Sequence, residues 1–141
     1  MDDFARRYLQ VLALVAVLAG GWWILARDSI AGDINAMLDQ DAQLAGYPYA
    51  FRVVSVDEGI ASVSSPRSAS VSVIAFLRAA FPDLAGAAVD DPEMLAAQER
   101  LVAMQSRAAE LVEAHPEVDS VRWQLDETWY ARRGVYIDSG S

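Results

Sequence analysis

One histidine, no cysteine and no lysine set the first limits on the chemistry of this 141-residue chain. Cysteine nucleophiles, disulfides, thiolate metal sites and Schiff bases are excluded because their side chains are missing. The single histidine, His115, excludes any metal site that needs two histidines. It precedes a proline at the end of a predicted helix, where the helix dipole favours a cation, so we expect a structural role.

Two short stretches come nearest to a reactive constellation. Asp39-Gln40-Asp41 forms a D-x-D pattern, which holds Mg²⁺ when both carboxylates project from the same face of a strand. These residues fall in a predicted helix, where positions i and i+2 diverge by about 160°, so a solvated helix face is the favoured reading. The loop 64–68 carries Arg67, which can bind a carboxylate or a phosphate, although an ordinary hairpin-to-helix connection explains it better. We predict no catalytic, cofactor-binding or metal-binding residue and keep Arg67 as a possible partner contact.

Aromatic residues cluster near the C-terminus of the chain. Trp123 alternates with polar residues in a predicted strand, so we expect it to face inward between the sheet and the helix 92–114. Trp129 and Tyr130 are neighbours on a short predicted helix, so at least one of them should be exposed. Exposed aromatic side chains mark protein contacts, while partial cover of the sheet edge is the alternative reading. Both residues are therefore candidate partner contacts.

The chain contains one segment that is apolar enough to cross a membrane. Residues 8–26 carry no charge, and 19 helical residues span about 28 Å, close to the hydrocarbon thickness of a bilayer. Arg6 and Arg7 precede the segment, which predicts a cytoplasmic N-terminus and a C-terminal domain outside the cytoplasm. A cleaved signal peptide is the main alternative. Ala16 and Gly20 form a small-xxx-small pair that allows another membrane helix to approach closely.

The charge of the chain is concentrated after this segment. Residues 28–141 hold eight arginines against 18 acidic residues. Such an acidic domain repels phosphate backbones and anionic head groups, so nucleic acid is excluded as a partner. A membrane-protein partner is the expectation that remains.

The remaining pattern predicts an α+β fold. Turn signals and hydrophobic periods predict a helix at 29–45, a β-hairpin from 49–56 and 60–64, helices at 71–81 and 92–114, a strand at 118–126 and a helix at 126–133. We expect a three-stranded antiparallel sheet packed against helices. The predicted divisions are a cytoplasmic tip and transmembrane anchor at 1–27, an extracytoplasmic domain at 28–135 and a flexible tail at 136–141.

From residue 64 onward, about half of the chain resembles short single-pass bacterial membrane proteins of uncharacterised function. The resemblance lies in Ser64-Ser65-Pro66-Arg67-Ser68, Phe76-Leu77-Arg78, Phe81-Pro82-Asp83-Leu84-Ala85-Gly86, Asp91-Pro92-Glu93-Met94 and Val121-Arg122-Trp123-Gln124-Leu125-Asp126. Such proteins are sometimes labelled glutamate–ammonia-ligase adenylyltransferase. The nucleotidyltransferase pattern, a Gly-Ser followed by D-x-D on a strand, is missing, because the only Gly-Ser closes the chain. The hairpin, long helix and final strand are also similar to periplasmic BON domains, which implies lipid association.

These observations predict an inner-membrane protein with a periplasmic interaction domain, an accessory subunit or adaptor of a membrane complex. A sensor domain that binds a small molecule or lipid is the alternative, and a small nucleotidyl-transfer enzyme comes after it.

Overall fold

The computed structural model describes residues 2–69 and 71–137. Its first element is a single helix, α1 (Asp3–Gln40), of 38 residues and about 57 Å. The helix predicted at 29–45 is therefore the continuation of the apolar segment rather than a separate element. Helix α1 ends before Asp41, whose backbone is extended. The Asp41 side chain accepts a hydrogen bond from the Leu44 amide and so caps the short helix α2 (Ala42–Ala45).

A β-hairpin follows, as predicted, with β1 at Val53–Asp57 and β2 at Ile60–Ser65. Glu58 and Gly59 both have positive φ, 49° and 80°, which is the conformation of a two-residue type I′ turn. A bulge between Val53 and Ser55 shifts the register of β1. As a result Ser55 is exposed, whereas Val53 and Val56 are buried, so β1 departs from strict alternation.

The third strand, β3 (Ser120–Leu125), runs parallel to β2, so the prediction of a fully antiparallel sheet is wrong. The strand order is β1-β2-β3, with β2 in the centre of a mixed sheet. A parallel neighbour requires a long crossover. The chain supplies it with α3 (Val73–Ala80), a 3-10 turn and the 22-residue α4 (Pro92–Glu113), which together return the chain to the start of β2.

The helix ends follow from capping residues. Asp91 accepts a hydrogen bond from the Glu93 amide at 2.9 Å with Pro92 as the first helical residue, so the predicted start of α4 is confirmed. The cap of α3 is Ser72, whose hydroxyl accepts a hydrogen bond from the Ala75 amide at 3.1 Å, so the helix predicted at 71–81 spans Val73–Ala80. The last helix, α5, spans Glu127–Ala131.

The core lies between the helices and the inner face of the sheet. On α4 the buried stripe contains Met94, Leu101, Gln105, Ala108 and Val112. Two sets of apolar residues repeat every seven positions on this helix. Leu95, Val102 and Ala109 form one set, and Met94, Leu101 and Ala108 form the other. The structure buries the second set and leaves Leu95 and Val102 exposed. Ile34 and Leu38 of α1 pack into the same core. The long helix therefore contains the apolar segment in its first half and forms part of the domain with its second half.

The end of the chain is only partly described. Ile137, inside the predicted flexible tail, is half-buried and packs against the core. Residues 138–141 of that predicted tail lie outside the described residues.

Candidate functional site

The largest exposed apolar surface is the first half of α1. The 18-residue window that qualifies as a membrane span has none of its residues buried, and no membrane is part of the structure. Trp22 is 74% exposed and Leu18 is 63% exposed. Ala16 and Gly20 lie on this helix, and a Cβ added at Gly20 would meet nothing within 4 Å. The helix therefore presents a side that is open to another helix.

The loop that contains Arg67 is tied to α4. The Arg67 Nε donates to the Oε1 of Gln105 at 3.0 Å, and Gln105 is 7% exposed. The Ser65 hydroxyl lies within hydrogen-bond distance of both the Arg67 amide nitrogen and its carbonyl oxygen. Arg67 is half-buried, and the structure gives its side chain a role in joining the loop to the long helix.

Trp129 and Tyr130 form part of the aromatic core. Tyr130 is 2% exposed, and its hydroxyl donates to the carbonyl oxygen of Pro66. The half-buried Trp129 ring lies 5.2 Å from the Phe76 ring and is covered by the Arg133 guanidinium at 3.7 Å. Tyr130 therefore offers no surface to a partner, and a partner could reach Trp129 only by displacing Arg133.

Three tyrosines are buried, namely Tyr47, Tyr49 and Tyr130. Burial raises the pKa of Tyr47 and of Tyr130 to about 12. It also raises the pKa of Tyr49, whose hydroxyl donates to Asp126 Oδ2 at 3.0 Å. The three buried tyrosines are therefore neutral at physiological pH. Tyr49 and Tyr130 donate hydrogen bonds through their hydroxyls, whereas the buried Tyr47 hydroxyl has no hydrogen-bond partner among the described residues.

The D-x-D stretch does not form a joint site. Asp39 is exposed and pairs with Arg52 at 3.3 Å, whereas Asp41 accepts from both Nε and Nη2 of Arg107, at 3.2 and 2.8 Å. The hydrogen bonds from Arg107 lower the pKa of Asp41. The second Asp41 oxygen caps α2, so this carboxylate is occupied by protein groups. In the part of the chain that the structure describes, no group of three His, Asp or Glu side chains could hold a metal ion.

The predicted role of His115 at a helix end agrees with its contacts. Its Nδ1 accepts a hydrogen bond from the Glu117 amide at 3.1 Å, just beyond the end of α4. The imidazole therefore stabilises the turn that leads from α4 to β3.

The surface clefts are shallow features of this small domain. The largest of those described, about 500 Å³, lies beyond the ends of β2 and β3, between Ser64, Gln124 and Asp126. The oxygens of Asp126 accept from the Tyr49 hydroxyl and from the Trp129 amide, so this carboxylate already has two donors. The cleft has room for a small molecule, and of its two carboxylates, Asp126 and Glu127, the first is engaged in holding the fold.

The two edges of the sheet differ. At the β1 edge, the Asn35 carboxamide of α1 accepts from the Val53 amide at 2.7 Å and donates to the Val53 carbonyl at 3.1 Å. Asn35 thus takes the place of a neighbouring strand. At the β3 edge, none of the hydrogen bonds among the described residues satisfies the outward amides of Val121, Trp123 and Leu125.

Sequence reasoning missed Asn35, Gln105 and the Tyr49–Asp126 contact. Each joins residues that lie 18 or more positions apart, so helix or strand periodicity carries no trace of them. A polar residue inside an otherwise apolar stripe was the available signal for Gln105 on α4.

The alternation predicted for the last strand is confirmed. Val121, Trp123 and Leu125 are half-buried, while Arg122 and Gln124 are exposed. The Trp123 ring lies 6.1 Å from the Phe51 ring, edge to face. Its burial is partial because β3 is an edge strand and none of the described residues covers its outer side.

Comparison with known proteins identified no relative: no protein-family model, curated protein or solved structure matches the chain.

Proposed function

We propose that this protein is a membrane-anchored, extracytoplasmic interaction protein, an accessory subunit or adaptor of a bacterial inner-membrane complex. Residues 8–26 form the transmembrane anchor, the N-terminus is cytoplasmic and the domain 28–135 is periplasmic. The observation that carries the proposal is α1. It is a single helix whose apolar half is wholly unburied and whose other half enters the domain core.

The exposure of this segment argues against a soluble core helix. A helix that is apolar on all sides needs cover from protein or lipid, and the domain supplies none to the qualifying window. The continuity of α1 also favours an uncleaved anchor over a signal peptide. A cut after Ala26 would fall inside the helix that continues into the core.

The charges at the two ends support the orientation. Arg6 and Arg7 precede the span, whereas Arg27 and Asp28 follow it and cancel. Trp22 and Trp23 stand near its far end, where an interfacial aromatic belt is favoured.

The direction of β1 supports a domain that stands directly on the bilayer. Asn35 contacts Val53 and Asp39 contacts Arg52, so β1 runs antiparallel to α1 and back towards the anchor. Four further residues carry β1 about 13 Å in that direction, the length of about nine helical residues. The acidic turn that follows Asp57 is then level with the outer end of the anchor.

Several functional groups of the domain are held in structural contacts, which supports interaction rather than catalysis. Asp41 is held by Arg107, Asp126 by Tyr49 and Arg67 by Gln105. The strong negative charge of the domain disfavours anionic lipid as the partner, so a protein in or beside the membrane is the proposed partner.

Reporter fusions after Ser141 test the topology. A reporter active only in the periplasm should be active, and a cytoplasm-only reporter at the same position should be silent. Changing Arg6 and Arg7 to glutamine should lower the periplasmic signal, whereas Arg132→Gln and Arg133→Gln, distant from the span, should not. The opposite reporter pattern would overturn the orientation, and release of the full-length chain by alkaline carbonate would overturn the anchor.

Purification in mild detergent tests the adaptor role. The full-length chain should retain one membrane protein at fixed stoichiometry. Recovery of the chain alone from every growth condition would contradict that role.

A further inference from the structure

The two edge strands of the sheet, β1 and β3, differ in how far they are protected against pairing with another strand. A strand edge presents unpaired amides and carbonyls that template another strand, and soluble proteins protect such edges with cover, bulges, proline or lysine. The β1 edge has both cover and a bulge, through Asn35 and the register shift next to Val53. The β3 edge, Ser120–Leu125, contains no proline, carries a single charged side chain, Arg122, and has regular register against β2 throughout.

The outward groups of β3 follow from its pairing. The Ser120 amide donates to the Gly59 carbonyl, and the Asp126 amide donates to the Ser65 carbonyl. The backbone amides and carbonyls of the even-numbered residues of β3 therefore point towards β2. The amides and carbonyls of Val121, Trp123 and Leu125 therefore point away from the sheet. Across residues 2–69 and 71–137, no hydrogen bond outside the sheet reaches these three amides.

The side chains along this edge are only partly covered by the residues that the structure describes. Val121, Trp123 and Leu125 face the core but are only half-buried, in contrast to the fully buried Ala61 and Val63 of the central strand. An added strand would complete their cover with its own apolar side chains at alternate positions. On the solvent side it would stand beside the exposed Arg122, where an acidic side chain is favoured.

From this we infer that the β3 edge is a docking site for an extended segment of a partner protein, which adds to the sheet as a fourth strand. The segment spans about six residues, alternates apolar with polar side chains and carries an acidic residue beside Arg122. The site gives a place of contact to the adaptor role proposed above.

A second copy of the chain is a poor occupant, an argument that rests on the proposed anchor. Because β1 runs antiparallel to α1, β2 and β3 both run away from the membrane. Two copies in one bilayer are related by an axis along the membrane normal, so their β3 strands point the same way. Pairing of two identical edges about a twofold axis requires antiparallel strands, which this arrangement forbids.

Photo-crosslinking of the full-length chain in the membranes of the cells that produce it tests the site. A benzophenone amino acid replaces the exposed Gln124 of β3 or, as the control, the exposed Val54 of β1, whose edge is covered. We expect an adduct from position 124 and none from position 54. A second probe at the exposed Ser120, four residues from position 124 on the same face of β3, should crosslink about four residues further along the same partner segment, because paired strands keep a fixed register.

The variant Val121→Pro removes one outward amide and no amide that faces β2. It should lower the yield of the position-124 adduct about tenfold, the effect of losing one backbone hydrogen bond at a binding edge. Arg122→Glu, which leaves the backbone unchanged, should also lower the yield, so the test does not depend on one variant folding. Equal adducts at positions 54 and 124, no adduct at 124, or an adduct indifferent to both variants would overturn the inference.

The test separates failure of the docking site from failure of the proposed function. An adduct between two copies, together with the expected reporter topology, would overturn the docking site alone. The same adduct with a chain that is not membrane-anchored would overturn the proposed function, since the argument against a second copy depends on the anchor.

Discussion

Replacing Asn35 by alanine tests how the membrane helix is joined to the domain. The variant removes both hydrogen bonds between Asn35 and Val53. Because Val53 is only 4% exposed, its backbone amide and carbonyl are then buried without partners. Each unsatisfied buried group costs about 1–3 kcal/mol, while alanine regains about 0.5 kcal/mol of helix propensity. Two such groups give a loss of about 1.5–5.5 kcal/mol, a large share of the roughly 5–15 kcal/mol that stabilises a domain.

Urea denaturation of the full-length protein in detergent micelles, followed by tryptophan fluorescence, measures this loss. The matched control is Gln43→Ala, which removes an exposed carboxamide from α2 and should cost under about 0.5 kcal/mol. If both variants lost the same small amount, α1 would not be docked on β1 through Asn35. The derived direction of the strands relative to the membrane would then fail with it.

Asn35→Asp adds a pH-dependent readout to the same contact. The side-chain nitrogen of Asn35 lies 3.1 Å from the Val53 carbonyl oxygen. The aspartate can still accept from the Val53 amide, but its charged form places an oxygen where that nitrogen was, beside the Val53 carbonyl. That contact raises the pKa of the introduced carboxyl above its usual value of about 3.9. The variant should be least stable at neutral pH and should regain stability as the pH falls towards about 4, because the protonated form donates again. A loss that does not change over this range would contradict the contact.

Three further outcomes use the same denaturation assay. Trp123→Ala should cost about 2 kcal/mol and the exposed Gln124→Ala under about 0.5 kcal/mol; equal small losses would contradict the alternation of β3. Tyr130→Phe removes a buried hydroxyl donor and should cost about 1–2 kcal/mol, whereas Tyr136→Phe, at a side chain that is 85% exposed, should be neutral. Above pH 10 the unfolded state loses phenol protons that the three buried tyrosines keep, so stability should fall between pH 10 and about 12. Ionisation of the three buried tyrosines with the same midpoint as the exposed Tyr136, without unfolding, would contradict their burial.

Local signals predicted most of the elements of the fold. Asp91-Pro92-Glu93 predicts the start of α4 because a side-chain acceptor and a proline satisfy the first helical turn wherever they occur. Asp57 to Gly59 predicts the hairpin because positive φ at the turn is a local property. The apolar, uncharged run at 8–26 predicts an exposed apolar helix, and α1 shows one.

Other features were decided by tertiary structure. The direction of β3 was predicted wrongly because alternation has the same period in parallel and antiparallel strands, while the path of α4 decides where the next strand begins. The choice between two sevenfold stripes on α4 depended on which side met the sheet. The bulge in β1 changed which of Ser55 and Val56 faces the core, and alternation alone cannot reveal an inserted residue.

The candidate sites divide in the same way. The sequence by itself determined the long apolar segment at 8–26, the acidic character of residues 28–141 and the lack of thiol and lysine-amine chemistry, because these depend on residue types and on short-range order. Only the tertiary structure decided that Asn35 covers one edge of the sheet, that Tyr130 is buried and that the β3 edge is open. Those outcomes depend on contacts between residues far apart in the chain, and such contacts form only when the helices and the sheet pack together.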